Sequence, residues 1–342
     1  MIVSNATGCS SIYGGSAPTC PYSTNSKGEG PAWANSLFED NAECGYGMNV
    51  AYGQRRAKLA EDMIALEGLG VDETTSSLFK AWQDTFKDVE ANKVASEAIK
   101  ANISAMVARE NDTAKKSLLV NIAANQDCLI KKSVWIFGGD GWAYDIGFGG
   151  LDHVLAMNEN VNVIVLDTEV YSNTGGQASK ASPTGAVAKF AAGGKLTKKK
   201  DLGKIAMSYG YVYVAQISMG ADKNQCLKAI REAEAYDGPS LIIAYAPCIN
   251  HGINMSNSQA EMKKAVDTGY WQLFRFNPAA EEGKNPFTLD SKEPTGDYQE
   301  FLMGENRYAM LKKSKPEVAD KLFKINEQQA KARYAGYKKL SE

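Results

Sequence analysis

Between residues 133 and 246 the chain alternates short runs of β-branched and aromatic residues with helix-forming stretches, and this alternation leaves few folds open. The pattern predicts strands at 133–138, 161–167, 211–217 and 240–246, with helices at about 150–158, 201–209 and 223–236 between them. Apolar runs joined by helical crossovers make an α/β architecture, a doubly wound, mostly parallel sheet with helices on both faces. In such sheets ligands bind outside the carboxyl ends of the strands. Two loops occupy that position here. Gly138-Gly139-Asp140-Gly141-Trp142 follows the first strand, and Asp167-Thr168-Glu169-Val170-Tyr171-Ser172-Asn173 follows the second.

The chemistry of the two loops is complementary. Magnesium takes an octahedral shell of oxygens and keeps phosphate and water beside only one or two protein carboxylates. Asp140 supplies a carboxylate, and the Thr168 hydroxyl and Val170 carbonyl can complete the protein's share. Gly139 and Gly141 allow backbone to approach an anion closely. Asn173 offers an amide to a phosphate or to a reacting centre. A Gly-Asp-Gly after a strand is, alone, most simply a turn. The second loop, one helix and one strand later at the same sheet end, makes the pair a magnesium diphosphate site.

Composition narrows the alternatives. The chain has 342 residues, 44% of them hydrophobic and 23% charged, enough to bury a large core, and its net charge of −2 does not favour nucleic acid or an anionic membrane. Lys198-Lys199-Lys200 reads as a solvated loop or helix start. No apolar stretch is long enough to span a bilayer and no leader pattern opens the chain, so a cytoplasmic setting is expected. Six cysteines (Cys9, Cys20, Cys44, Cys128, Cys226 and Cys248) are too sparse for a disulfide framework. His153 and His251 are too few for a zinc site; His153 reads as structural.

Outside the alternating region the signals are weaker. Residues 1–53 are rich in Gly, Pro, Ser and Asn and read as a loop-rich active-site segment, with Met1-Ile2-Val3 as the end of a strand running directly into a loop. Residues 54–125 carry apolar residues at helical spacing (Leu59, Met63, Ile64, then Leu78, Trp82, Phe86, Val89) and read as a helical lobe. Residues 126–258 are the α/β core. Residues 259–342 form a C-terminal extension with a strand at Tyr270–Phe276, whose Trp271, Phe274 and Phe276 read as core. Trp142 and Tyr144 pack either on a ligand or in the core.

The wording of the two loops, GGDGWAYDIGFGGLDHV and DTEVYSNTGGQASKASPTG, resembles the diphosphate and magnesium motif of thiamine diphosphate enzymes, and in particular the single-chain pyruvate:ferredoxin (flavodoxin) oxidoreductases. The likeness runs from NATGCSSIYGGSAPTCPYSTNSKGEGPAWANSLFEDNAE through APCINHG to NPFTLDSKEPTGDYQEFLMGENRY, essentially the whole chain. It implies a thiamine diphosphate-binding fold spanning 1–342. It implies magnesium on Asp140, Thr168 and Val170, and cofactor lined by Gly139, Asp140, Gly141, Trp142, Thr168, Glu169, Val170, Tyr171, Ser172 and Asn173. Cys9 would lie beside the reactive ring and, with Cys248, ligate a 4Fe-4S cluster; Asn173 and Cys9 are the catalytic candidates.

The implied reaction converts pyruvate and coenzyme A to acetyl-CoA and CO2, with one-electron transfer through iron-sulfur clusters to ferredoxin or flavodoxin. The Cys-x-x-Cys pair that completes the cluster in that family is absent from the sequence. The expectation is therefore a portion inactive alone, working with N-terminal domains or a separate subunit, as a homodimer. A non-redox thiamine diphosphate enzyme half and a non-catalytic cofactor-binding module stay open as alternatives.

Overall fold

The structure, a computed structural model, describes residues 1–15 and 20–342 and, of Cys9 and Tyr13, the backbone alone. It separates into two compact units, Met1–Tyr46 with Val134–Glu342, and Gly47–Ser133.

The first unit is built on one eight-stranded sheet. Its strands are β1 (Ile2–Ala6), β2 (Ala32–Ser36), β3 (Val134–Gly139), β4 (Asn162–Asp167), β5 (Tyr213–Ile217), β6 (Ser240–Tyr245), β7 (Phe274–Phe276) and β8 (Phe287–Leu289), in the order β2-β1-β3-β4-β6-β5-β7-β8. The strands from β2 to β5 are parallel, and β7 and β8 add antiparallel at the β5 edge. Residues such as Val163, Val165, Val214, Leu241 and Ile242 are fully buried, because helical crossovers leave these strands no solvated face. The chain leaves β1 for β2 on one side and returns to β3 on the other, so the β1/β3 boundary is a topological switch point.

The helices are α1 (Cys9–Gly15), α2 (Asn41–Gly68), α3 (Glu73–Asp84), α4 (Val89–Arg109), α5 (Thr113–Ala124), α6 (Phe148–Ala156), α7 (Leu202–Met207), α8 (Lys223–Ala235), α9 (Ser258–Asp267), α10 (Tyr298–Gly304), α11 (Asn306–Ser314) and α12 (Pro316–Ser341). No helix among the described residues is long and apolar enough to cross a membrane.

The first forty residues differ from the loop-rich reading. β1 continues past Val3 through Ser4 and Asn5, both fully buried. Polar side chains fill these strand positions through partners on neighbouring elements, Asn5 Nδ2 donating to Asn35 Oδ1 at 2.8 Å. Ser4 Oγ donates to Asn41 Oδ1 at 2.8 Å, Ser36 Oγ does so at 2.9 Å, and Asn41 Nδ2 donates to the Phe137 carbonyl at 2.8 Å. One buried asparagine at the start of α2 thus ties β1, β2 and β3 together. β2 carries no apolar alternation because it is a mostly exposed edge.

The second unit is helical. Leu59, Met63, Phe79, Trp82, Ile99, Ile103 and Ile122 pack as its core, while Asp72, Asp88 and Asp112 cap the starts of α3, α4 and α5. Arg56 is buried over the Phe86 ring, 4.2 Å from its centroid, and donates to Asn92 Oδ1 at 2.9 Å. Such a cation needs a partner for each donor.

Candidate active site

The sheet order gathers the candidate residues. β1, β3, β4 and β6 are four consecutive parallel neighbours, so the chain emerges from all of them at the same sheet end. Cys9 follows β1, Asp140 follows β3, the segment from Thr168 to Asn173 follows β4, and Cys248 follows β6.

Asp140 begins the turn out of β3 and is 1% exposed. Its partners are neutral hydroxyls: Thr168 Oγ1 lies 2.8 Å from Oδ1, and Ser179 Oγ donates to Oδ2 at 2.6 Å. Thr168 Oγ1 also stands 2.9 Å from the Val170 carbonyl oxygen, so one proton faces two acceptors. Burial, reinforced by the charge of Asp167, pushes the Asp140 carboxyl up to about 7. Adjacent oxygens on a magnesium octahedron lie about 2.9 Å apart, from metal–oxygen bonds near 2.1 Å. The Thr168 Oγ1–Asp140 Oδ1 and Thr168 Oγ1–Val170 carbonyl distances are close to that edge length, and the donor set is one carboxylate with two neutral oxygens. Among the described residues no cluster of three His, Cys, Asp or Glu is placed to hold a metal; a diphosphate-bound magnesium does not require one.

Glycine at 141 has a direct steric reason. A Cβ there would stand 2.4 Å from the Tyr171 ring, whose hydroxyl donates to the Gly141 carbonyl at 3.1 Å. Trp142 and Tyr144 are buried in the core, and Tyr144 donates to Asp167 Oδ2 at 2.7 Å.

Glu169 sits between Thr168 and Val170 with φ of 59°, a left-handed conformation that non-glycine residues enter at a cost. The side chain explains it. Turned away from Asp140 and 2% exposed, the carboxylate receives Lys199 Nζ at 3.0 Å, Arg307 Nη2 at 2.7 Å, and the Tyr270 hydroxyl. Burial would raise its pKa, but the charges of Lys199 and Arg307 outweigh it and hold the carboxyl down at about 2. Arg307 also donates through Nε to Glu305 at 2.7 Å. Within the lysine run Lys198 is exposed, as the solvated reading expects, but Lys199 departs from it, its side chain 13% exposed with Nζ 2.7 Å from Asp167. Its partners precede it by about thirty residues, a separation at which no local pattern operates.

Cys248 is buried, 8% exposed. Its Sγ lies 2.7 Å from Ser172 Oγ, 3.5 Å from the Asn250 amide nitrogen and 3.7 Å from Asn250 Nδ2. Asn250 Nδ2 also donates to Ser172 Oγ at 2.8 Å. His251, fully buried, has Nε2 2.8 Å from the Thr168 carbonyl and Nδ1 3.4 Å from Glu305 Oε1. The cysteine loop and the β4 loop are therefore joined at Ser172 and Thr168. Asn173 is exposed at the outer turn of its loop, apart from the Asp140 cluster. His153 is exposed on α6, while Cys128 and Cys226 are buried. The Cys9 side chain lies outside the described residues.

Residues 118–244 match the family described as thiamine pyrophosphate enzyme, C-terminal TPP binding domain. The chain is 60% identical over 347 residues to the pyruvate:ferredoxin oxidoreductase of Moorella thermoacetica, covering 100% of this chain and 29% of that protein. It is 54% identical over 344 residues to the pyruvate-flavodoxin oxidoreductase of Klebsiella pneumoniae, and 55% over 349 residues to that of Enterobacter agglomerans, each with 100% of this chain and 29% of the relative covered. The chain thus spans under a third of these relatives' length. Residues 118–244 thus resemble a thiamine pyrophosphate-binding domain, and the whole chain is similar to one portion of these longer oxidoreductases.

Proposed function

We propose that this chain provides the diphosphate and magnesium half-site for thiamine diphosphate in an oxidative decarboxylation of pyruvate. The observation that carries the reading is Asp140, a buried carboxylate without a cation, with Thr168 Oγ1 at hydrogen-bond distance from both its Oδ1 and the Val170 carbonyl. Asp140, Thr168 and Val170 would hold magnesium. Gly139, Gly141, Trp142, Glu169, Tyr171, Ser172 and Asn173 would border the cofactor, mostly through backbone, because Trp142 and Glu169 are buried. The cofactor supplies an electron sink for loss of CO2 from a 2-oxo acid.

The chain's own groups have separable tasks. Asp140 would balance the charge of a bound magnesium, with Ser179 Oγ holding its Oδ2. Tyr171 holds the Gly141 turn. Asn173, exposed at its loop tip, presents an amide toward the cofactor or reacting atoms. Cys9 and Cys248 would bind a 4Fe-4S cluster, with Ser172 Oγ and the Asn250 amide nitrogen beside Cys248 Sγ. Coenzyme A as acetyl acceptor, ferredoxin or flavodoxin as electron acceptor, assembly as a dimer and a cytoplasmic setting belong to the same reading. So does reliance on the further domains that the longer relatives carry.

Calorimetric titration with magnesium and thiamine diphosphate tests it directly. Saturable, magnesium-dependent binding is expected, weakened about 100-fold or more in Asp140→Ala, equivalent to about 2.7 kcal/mol. Equal affinity in wild type and variant would remove the half-site reading.

A further inference from the structure

The left-handed turn at Glu169 sets how the Thr168 hydroxyl and the Val170 carbonyl face each other, because its φ torsion lies between them. A torsion is fixed when the groups on both sides of its bond are fixed. On the Cα side, the Glu169 carboxylate is gripped by Lys199 Nζ at 3.0 Å and Arg307 Nη2 at 2.7 Å. On the nitrogen side, the peptide carries the Thr168 carbonyl, and that oxygen is met by His251 Nε2 at 2.8 Å. A carbonyl only accepts, so Nε2 carries the proton in this contact.

His251 is itself held in place. Its ring is fully buried and lies at 29° to the ring of Tyr245, with 6.4 Å between centroids. Nδ1 stands 3.4 Å from Glu305 Oε1, and Glu305 Oε2 accepts from Arg307 Nε at 2.7 Å. One guanidinium therefore backs both grips, Glu169 directly and His251 by way of Glu305. The His251 amide donates to the Cys248 carbonyl at 2.9 Å, and the turn ends at Gly252, where φ is 72° and a Cβ would stand 2.3 Å from Asn306 Cβ. The ring has little freedom to leave the Thr168 carbonyl.

We propose that His251 is a positioning residue for the magnesium site: its hydrogen bond to the Thr168 carbonyl holds the peptide that keeps Thr168 Oγ1 within reach of both Asp140 Oδ1 and the Val170 carbonyl. It acts through the Thr168 peptide and has no ligand role of its own. The turn that carries Cys248 thus also supports the metal loop. The inference rests on the half-site reading.

Calorimetric titration of the full chain with thiamine diphosphate, with and without magnesium, tests it in His251→Phe and His251→Gln. Phenylalanine keeps a ring in the buried slot and has no donor, whereas the glutamine amide nitrogen can reach the Nε2 position and donate. Magnesium-dependent affinity should fall about tenfold or more in His251→Phe and stay within about threefold of wild type in His251→Gln. A role in packing alone would favour the aromatic replacement, so the order of the two variants separates positioning from filling. Nitrogen-15 imidazole spectra of the wild-type chain need no substitution, because His153 and His251 are its two histidines. Nε2 of the buried ring should carry its proton, and its signal should move when magnesium and thiamine diphosphate are added together, while that of the exposed His153 stays. Unchanged affinity in His251→Phe, glutamine no better than phenylalanine, or an Nε2 that lacks the proton or ignores the cofactor would overturn the proposal. Absence of magnesium-dependent binding in wild type would instead remove the half-site reading itself, and the role of His251 with it.

Discussion

Asp140 and Glu169 leave neighbouring strands at one end of the sheet, and both are closed to solvent, yet their surroundings are built to opposite ends. Glu169 has two cations and a tyrosine, and its pKa falls to about 2. Asp140 has two hydroxyls and no cation, and its pKa rises to about 7. The first carboxylate is fully paired, although Nη1 of the Arg307 that serves it has no partner, and the second has no cation in contact. The finished one also shapes the unfinished one: the contacts of Glu169 hold its backbone at φ 59°, between the Thr168 hydroxyl and the Val170 carbonyl.

The harshest way to break this contrast is Arg307→Ala. Arg307 serves Glu169 and Glu305 together, so its loss leaves two buried carboxylates short of charge, and the expected cost is about 3–5 kcal/mol. Urea unfolding measures it. A cost below about 1 kcal/mol would mean that Glu169 is not in a finished network.

Acid gives the next largest effect. A carboxyl whose folded pKa is depressed stabilises the fold above its unfolded value of about 4.5, and this contribution is lost as pH falls toward 2. The loss should reach about 3 kcal/mol, since each pKa unit is worth about 1.4 kcal/mol. Asp140 acts in the opposite sense, its raised pKa favouring the fold at low pH and losing that effect as pH rises through about 7. Comparing Glu169→Gln with its parent in an Asp140→Asn background isolates the Glu169 contribution. Parallel pH profiles for the two proteins would argue against it.

Much of the Asp140 side was legible from residue order, because strand ends and loop composition are local. The run to Gly139 predicted where Asp140 emerges, and the next strand placed Thr168 and Val170 beside it. The Glu169 side was not legible. Lys199, Arg307 and Tyr270 reach it from 30, 138 and 101 residues away, and a lysine run on its own looks solvated. β1 and β2 were obscured for a related reason: Ser4, Asn5 and Asn41 are buried polar residues whose partners come from other strands. Periodicity registers apolar faces, and these elements are held by polar ones.

Gly141→Ala sharpens the contrast by disturbing the Asp140 loop while leaving the Glu169 network alone. The new methyl would meet the Tyr171 ring, displacing it from the Gly141 carbonyl at a cost of about 1–3 kcal/mol. Thermal unfolding together with cofactor calorimetry should show both stability and thiamine diphosphate affinity falling. Retention of both would mean that the close packing at 141 does not shape the site.

Asp140→Asn should have the smallest effect on stability, and for that reason it separates the two carboxylates most cleanly. Asparagine keeps an acceptor for one of the Thr168 and Ser179 hydroxyls and turns an N–H donor toward the other, a loss offset by removing a buried charge that has no cation in contact, so the ligand-free variant at pH 8 should be within about 1 kcal/mol of wild type, or more stable. Glu169→Gln under the same conditions should lose stability, because it removes a carboxylate shared by Lys199 and Arg307 and leaves them Asp167 and Glu305 alone. The two substitutions are chemically identical, each an acid replaced by its amide, so the sign of the difference reports the environment alone. Urea unfolding of both variants without magnesium decides it: an Asp140→Asn loss as large as that of Glu169→Gln would show that Asp140 is already compensated within the chain and waits for no metal.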